Sequence, residues 1–458
     1  MVQTKEGKMV FKRKIYDKML EWKELSHGQS ALLIEGARRI GKSTIVEAFA
    51  KNEYEDYIIL DFAKEHKNVK QNFEDNIGDM DTFFRNLFLL KGKEIPKKKS
   101  VIIFDEVQLF PPARQAIKYL VQDGRFDYIE TGSLISIKKN VQDILIPSEE
   151  YKIKMYPMDF EEFLWAKGDN VTIMAIRDAY LKRKALGDVI HRKIMQTFRT
   201  YMVVGGMPQA VQAYVDGKSF REIDFAKRHI LALYEADLKK YDEDNREKTS
   251  VIFKTIPEQL TNHNSHFKFS MVDKNARYKN YVEAVNFVAE SMMGNECIHV
   301  TMPEVSMEAY ADRSNFKLYM GDTGLLVTQI MKSSDETAED IYKAIIFDKL
   351  GINQGMVIEN MVAQMLRARG YDLFFHEFLA QADDATKEKK YEIDFLIVKK
   401  RKICPIEVKS SSYKSHKSFD LFTKRYSMGV EDKFIIYTKD LHYEGGILYL
   451  PIYMTICL

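Results

Sequence analysis

Residues Gly36-Ala37-Arg38-Arg39-Ile40-Gly41-Lys42-Ser43 match the pattern G-x-x-x-x-G-K-[ST] in full. A random chain of this length would contain such a run in roughly one or two cases in a hundred. Each position has a chemical reason. The glycines let backbone N–H groups wrap a β-phosphate, and a helix starting at the end of the loop adds its positive N-terminal end. Lys42 is the cation for the β- and γ-phosphates, and the Ser43 hydroxyl is a Mg²⁺ ligand. The expected nucleotide contacts are the whole run Gly36, Ala37, Arg38, Arg39, Ile40, Gly41, Lys42 and Ser43, with Thr44 after it. The expected cofactors are ATP and Mg²⁺.

A second run, Val101-Ile102-Ile103-Phe104-Asp105-Glu106, ends four apolar residues in two adjacent carboxylates. Asp105 at the tip of a buried strand suits a Mg²⁺-bound water, and Glu106 suits the general base that polarises the attacking water. The adjacent Glu is the arrangement of ATPases; no Asn-Lys-x-Asp of the GTPase kind follows. Further on, Tyr128-Ile129 runs into Glu130-Thr131-Gly132-Ser133. Thr131 or Ser133 at that strand tip could sense a γ-phosphate, or could simply form a turn.

A third constellation lies near the C-terminus. Asp394 sits in the alternating stretch Tyr391–Val398, Lys399–Lys402 forms a basic turn, and the return stretch ends Ile406-Glu407-Val408-Lys409. A hairpin centred on Lys400-Arg401 sets Asp394 opposite Glu407 and puts Glu407 and Lys409 on one face. Opposed carboxylates destabilise a sheet by up to about 1 kcal/mol. A divalent cation held by Asp394 and Glu407 would remove that cost, with Lys409 activating water or stabilising phosphate charge. Glu359, on the helical stretch Gly355–Gly370, borders the buried face and could join them. The same residues could equally form a structural charge cluster.

Several elements must position these groups. Apolar runs Ala31–Ile34, Tyr57–Leu60, Val101–Phe104 and Tyr128–Ile129 alternate with helix-like stretches, which predicts a parallel sheet covered on both faces. Ile15, Met19 and Trp22 recur at helical spacing before it. Asp159 to Tyr241 reads as helices, broken at Val203-Val204-Gly205-Gly206-Met207-Pro208. Helices Val251–Leu260 and Tyr281–Met292 followed by strands Cys297–Thr301 and Phe316–Tyr319 suit a winged helix, with Lys274, Arg277 and Lys279 leading into the second helix. The polar stretch 332–336 reads as a linker, and from about Gly351 a second α/β unit begins.

Composition narrows the class. With 458 residues, two to four domains are expected. Lys+Arg 69 against Asp+Glu 67 gives no global pull toward nucleic acid or membrane, and the basic runs 97–99 and 399–402 suit solvated turns. The three cysteines, Cys297, Cys404 and Cys457, lack disulfide-framework or zinc spacing, which fits a reducing compartment. No apolar run approaches the roughly 20 residues of a membrane span. A cytoplasmic protein without membrane partners is expected.

Taken together, the Gly36–Ser43 loop with Arg38, Phe104-Asp105-Glu106, Thr131-Gly132-Ser133, Tyr156–Phe163, Gly205-Gly206-Met207-Pro208 and Phe316–Gly324 resemble the archaeal-type ATPases of the AAA+ class. The resemblance covers essentially the whole chain. It implies an α/β protein with four parts: a P-loop AAA+ core over 1–158, a helical region over 159–245, a winged helix over 246–330, and a restriction-endonuclease-like domain of the PD-(D/E)xK type over 340–458. In that frame Lys42, Glu106, Glu407 and Lys409 are the catalytic residues, Ser43, Asp105, Asp394 and Glu407 the metal ligands, and Thr131 a nucleotide sensor. Many relatives carry Ala-Gly-Arg before the Pro-x-x-Phe-Glu-Glu-Phe stretch. Here Ile146-Pro147-Ser148-Glu149-Glu150 stands instead, so no arginine finger is assigned; Arg125 and Arg192 remain candidates. The implied function is ATP hydrolysis coupled to DNA binding or processing. The alternative is an ATP-dependent switch acting through self-association or a protein partner, with an inactive nuclease-like domain.

Overall fold

The computed structural model describes residues 2–3, 7, 9–132, 148–242, 247–262, 266–331, 338–347, 354–381, 388–410, 416–426, 430 and 432–458. The chain forms two compact units, Met1–Tyr156 and Pro157–Leu458.

The first unit is a five-stranded parallel sheet. Its strands are β1 (Ala31–Glu35), β2 (Asp56–Asp61), β3 (Ser100–Asp105), β4 (Asp127–Gly132) and β5 (Glu150–Lys154), in the spatial order β2-β3-β4-β1-β5. Helices α1 (Ile15–Ser26), α2 (Lys42–Glu53), α3 (Lys67–Asn76), α4 (Met80–Lys91) and α5 (Pro111–Asp123) complete it. The four expected apolar runs are β1 to β4. Strand β1 is buried at all five positions, as a parallel strand covered on both faces must be. A cluster of phenylalanines, Phe62, Phe73, Phe83, Phe104 and Phe110, fills the space between β2, β3 and helices α3 to α5.

Strand β5 was not expected, because it reads Glu-Tyr-Lys-Ile-Lys with no apolar run. It is an edge strand, where charge is tolerated. Its Glu150 is nevertheless buried, held by Arg114 of α5 through Nε at 2.9 Å and Nη2 at 2.8 Å. Residues 146 and 147 lie outside the described residues; Ser148 and Glu149 lead into this strand.

The second unit begins with helices α6 (Phe160–Ala166), α7 (Val171–Lys182), α8 (Asp188–Val204), α9 (Pro208–Val215) and α10 (Phe220–Asp242), as the sequence predicts. Then follow α11 (Lys248–Thr261), α12 (Val282–Glu290) and the strands β6 (Gly294–Val300) and β7 (Ala311–Met320). After α13 (Thr323–Ile330) and α14 (Ala338–Ile346) come α15 (Gln354–Ala368), β8 (Leu373–Ala380), β9 (Lys389–Lys399), β10 (Lys402–Val408), α16 (Lys417–Arg425), β11 (Lys433–Tyr437), β12 (His442–Glu444) and β13 (Ile447–Pro451). All eight strands join one mixed sheet, ordered β12-β13-β11-β10-β9-β8-β6-β7.

That sheet departs from the four-part organisation expected from the sequence. The β6–β7 hairpin is not a free wing: β6 pairs in parallel with β8, Leu373 beside Cys297 and Phe375 beside His299. Strands on both sides of the expected boundary near 330–340 therefore share one set of backbone hydrogen bonds. The expected linker at 332–336 lies outside the described residues. Helix α15 packs on β6, β7, β8 and β10, so its acid Glu359 is carried onto the sheet.

Candidate functional sites

In the first unit the loop Gly36–Gly41 joins β1 to α2, at the place where the strand order reverses between β4 and β5. Open parallel sheets bind ligands at such a switch point. Gly36 is required by contact: a Cβ there would lie 2.4 Å from Ile40 Cδ1 and 2.5 Å from the Met155 carbonyl oxygen. Lys42 is 8 % exposed, and its Nζ donates to the carbonyls of Gly36 and Ala37, each at 2.9 Å. Burial lowers its pKa to about 8, against the pull of Glu106 and Asp105. An ammonium resting on loop carbonyls can exchange those weak acceptors for phosphate oxygens.

Ser43 Oγ donates to Asp105 Oδ1 at 2.8 Å, and the Thr131 hydroxyl donates to the same oxygen. Ser43 in the first turn of α2 and Asp105 and Thr131 at the ends of β3 and β4 thus converge. A hydroxyl and a carboxylate at this spacing fit a hard cation such as Mg²⁺, which takes oxygen ligands. Glu106 stands directly after β3 with φ 54°, and Gln108 donates from Nε2 to its Oε2. Ser133 lies outside the described residues. Sequence reasoning missed Arg13. Only 5 % exposed, it donates from Nη1 to the Ile40 carbonyl at 2.8 Å and from Nη2 to the Tyr156 carbonyl at 2.6 Å, which holds the phosphate loop from behind. No motif marks it.

Of the two arginine candidates, Arg125 precedes β4, at the end of the strand remote from Thr131. It pairs with Asp81 at 2.6 Å and Asp123 at 3.1 Å and covers the Phe84 ring. It does not face the phosphate loop. Arg192 is exposed on α8 in the second unit, 3.8 Å from Asp188.

In the second unit β9 and β10 are joined by a two-residue turn, with Lys400 at φ 49° and Arg401 at φ 62°. The ladder runs from Lys399 opposite Lys402 to Phe395 opposite Ile406, and its next step brings Asp394 beside Glu407. Asp394 Oδ2 accepts from the Val408 N–H at 2.7 Å. Burial raises the Asp394 pKa well above the usual range, and Glu359 adds to this. Glu407 is 3 % exposed; its Oε1 accepts from Lys409 Nζ at 2.5 Å and Ser418 Oγ at 3.0 Å. Its Oε2 is buried and has no hydrogen-bond partner among the described residues. An oxygen left this way costs about 1–3 kcal/mol or more, and a cation would satisfy it. Asp394 and Glu407 therefore fit a divalent metal ion as a two-carboxylate pair. Glu359 lies near enough to act on Asp394, but its Oε1 accepts from Tyr319 at 2.5 Å and Lys317 at 3.2 Å. Among the described residues no three His, Cys, Asp or Glu side chains form a metal-holding group.

The glycine and aspartate motifs of the resemblance meet one another inside the second unit. Gly206 donates to Asp322 Oδ2 at 2.6 Å, and the Met158 N–H donates to the Gly206 carbonyl at 2.7 Å. Tyr201 donates to the Met158 carbonyl at 2.8 Å, and Gln364 of α15 donates to Tyr201 at 3.2 Å. These residues tie α6, α8, α13 and α15 together. Lys274, Arg277 and Lys279 are exposed between α11 and α12. Among the described residues no helix is long and apolar enough to cross a membrane.

Comparison with known proteins agrees with the first site. Residues 28–164 match the family model described as AAA domain, residues 195–336 a Domain of unknown function (DUF8612), and residues 354–454 a Domain of unknown function (DUF4143). No curated protein matches the chain in sequence. Among solved structures, the Aeropyrum pernix ORC2 protein in its ADP form is 10% identical at TM-score 0.26, over 74% of this chain and 93% of that one. A variant of Thermotoga maritima RuvB is 12% identical at TM-score 0.27, over 62% and 89%. Protein VC1899 from Vibrio cholerae is 6% identical at TM-score 0.17, over 93% and 95%. Likenesses this low carry no assignment. Residues 28–164, most of the first unit, are similar to an AAA domain.

Proposed function

We propose that the chain binds and hydrolyses ATP at the Gly36–Ser43 loop. The convergence of Ser43, Asp105 and Thr131 on one carboxylate oxygen beside Lys42 carries this reading. Ser43 and Asp105 would hold Mg²⁺, which when bound with ATP neutralises charge on the β- and γ-phosphates. Lys42 leaves the carbonyls of Gly36 and Ala37 for phosphate oxygens. Glu106 accepts the proton of the attacking water, and Thr131 reports the γ-phosphate to Asp105. The test is Glu106→Gln. A general base contributes about 10²–10⁴ in rate, so turnover should fall by that order while ATP binding persists. An unchanged turnover number would assign the water to another residue.

The second unit supports a coupled role in processing DNA. The buried Glu407 Oε2, without a hydrogen-bond partner among the described residues, and the nearby Asp394 favour a metal-dependent nuclease-type site over a purely structural cluster. Asp394 and Glu407 would hold the ion, which supplies Lewis acidity toward a phosphodiester. Lys409 would orient water or stabilise phosphate charge, and Lys274, Arg277 and Lys279 would contact the backbone. The assay is DNA cleavage with Mg²⁺ or Mn²⁺, with and without ATP, for the unaltered protein and Glu407→Gln. Salt-sensitive DNA binding with cleavage that Glu407→Gln abolishes supports the reading. ATPase stimulation by protein or self-association, without DNA binding or cleavage, leaves the regulatory switch.

A further inference from the structure

The acid cluster of the second sheet contains a cation of its own. Lys317 is on β7, at the edge of the sheet, yet it is 7 % exposed. Its Nζ donates to Glu392 Oε1 at 2.6 Å and Glu359 Oε1 at 3.2 Å, and lies 5.2 Å from the centre of the Phe375 ring. The Tyr319 hydroxyl holds the same Glu359 oxygen from a second direction. Burial of an ammonium costs several kcal/mol and is sustained only where opposite charge is close and well oriented. Burial alone would lower its pKa; Glu359, Glu392 and Asp394 together hold it well above the ordinary lysine value. Lys317 is therefore a permanent positive charge within this cluster.

The cluster divides in two. Glu359 and Glu392 are committed to Lys317. In the other half, Asp394 takes the Val408 N–H and Glu407 takes Lys409 and Ser418, yet among the described residues one buried Glu407 oxygen still has no hydrogen-bond partner. Like charges so close would repel strongly without compensating cations; Lys317 sits between Glu359 and Glu392, and Lys409 pairs with Glu407. Hydrolysis by two metals needs a second set of oxygen donors within about 4 Å of the first ion. Here the acids available for that set are occupied.

We propose that Lys317 is a built-in counter-cation that withholds Glu359 and Glu392 from metal, so that the second unit holds one divalent ion, at Asp394 and Glu407, and takes a second only when Lys317 is removed. The one-ion part rests on the metal reading of Asp394 and Glu407 above. The withholding part does not.

The experiment counts bound Mn²⁺ on the nucleotide-free full chain by electron paramagnetic resonance of the free ion, and confirms each site by calorimetry. In the unaltered protein one ion should disappear with Glu407→Gln and survive Glu392→Gln with its affinity unchanged within roughly twofold, well under 1 kcal/mol. Lys317→Met should bind one further ion, lost again when Glu392→Gln is added, while Lys317→Arg should keep the one ion and bind no further one. A Lys317→Met protein that gains no ion overturns the proposal. So does a loss of affinity beyond roughly tenfold on Glu392→Gln in the unaltered background. If Lys317→Met does not fold, that second arm decides alone. If no ion depends on Glu407, the nuclease-type reading falls, and the gain of an ion in Lys317→Met still decides the role of Lys317.

Discussion

Replacing Gly206 by alanine should destabilise the second unit without touching nucleotide binding. A Cβ at this position would lie 2.1 Å from the Met158 carbonyl oxygen and 2.8 Å from the Met158 nitrogen, both backbone atoms that no rotamer change can move aside. Relief requires the Gly206 and Met158 strands of chain to part. Two hydrogen bonds then go: Met158 N–H to the Gly206 carbonyl at 2.7 Å, and Gly206 N–H to Asp322 Oδ2 at 2.6 Å. The first is worth about 1 kcal/mol and the second, to a carboxylate, about 1.5–3 kcal/mol. Asp322 is 2 % exposed, so its freed oxygen finds no ready water. The sum is about 2.5–4 kcal/mol, near the upper end for single substitutions. For a unit of this size each kcal/mol shifts Tm by roughly 2–4 °C, so a fall of roughly 5–16 °C is expected. The two tryptophans make the assay selective: Trp22 is in the first unit and Trp165 in the second. In a Trp22→Phe background, thermal unfolding followed by fluorescence reports on the second unit alone. Gly78→Ala, where a Cβ meets nothing within 4 Å, is the control. If Gly206→Ala melts like the control but loses ATP affinity, the Gly-Gly-Met-Pro motif is a functional element and the packing account of it fails.

Other outcomes follow from single contacts. Lys42→Ala should abolish most ATP affinity in a binding titration, because the buried Lys42 ammonium on the Gly36 and Ala37 carbonyls is the cation the phosphates would take; retained affinity would remove the nucleotide site from this loop. Arg114→Met should destabilise the first unit by about 3–5 kcal/mol in urea, since it removes the two-pronged partner of Glu150 and leaves Glu150 and the fully buried Glu130 only the more exposed Lys152. His376 is held neutral by burial, with a pKa lowered to about 4 from 6.5; its Nδ1–H donates to the Val300 carbonyl and its Nε2 accepts from Tyr426. The unfolded chain binds the extra proton first, so this stabilisation is complete above pH about 6.5 and is lost as pH falls toward 4, on the order of 3 kcal/mol. His376→Gln should flatten that part of the stability profile measured by denaturation between pH 4 and 7, and an unchanged slope would refute the assignment.

What the sequence shows of this chain is what lies close together along it. The phosphate loop is a contiguous run, and the strand before it and helix after it are its immediate neighbours. The facing of Asp394 and Glu407 was equally legible, since a two-residue turn at Lys400-Arg401 fixes which residues pair; a shift by one would turn every side chain to the other face. Strand β5 was hidden because the apolar pattern that betrays a strand is absent from Glu-Tyr-Lys-Ile-Lys, and the partner that buries Glu150 lies 36 residues earlier.

The groups that decide the chemistry of the second unit were hidden for the same reason, carried further. Lys317 meets Glu359 across 42 positions and Glu392 across 75, and Arg13 meets Tyr156 across 143. No local pattern encodes such pairs, and a lysine in an alternating strand has no mark that says it is buried. Strand β6 likewise looked like half of an independent hairpin, because its other neighbour, β8, begins more than seventy residues later. Once β6 and β8 pair, β7 is carried to the same sheet, and Lys317 with it. The resident cation of the acid cluster is thus a consequence of the very pairing that denies the hairpin a separate domain. Breaking that pairing should release Lys317 as well, and the metal content of the second unit would change with the fold of the hairpin.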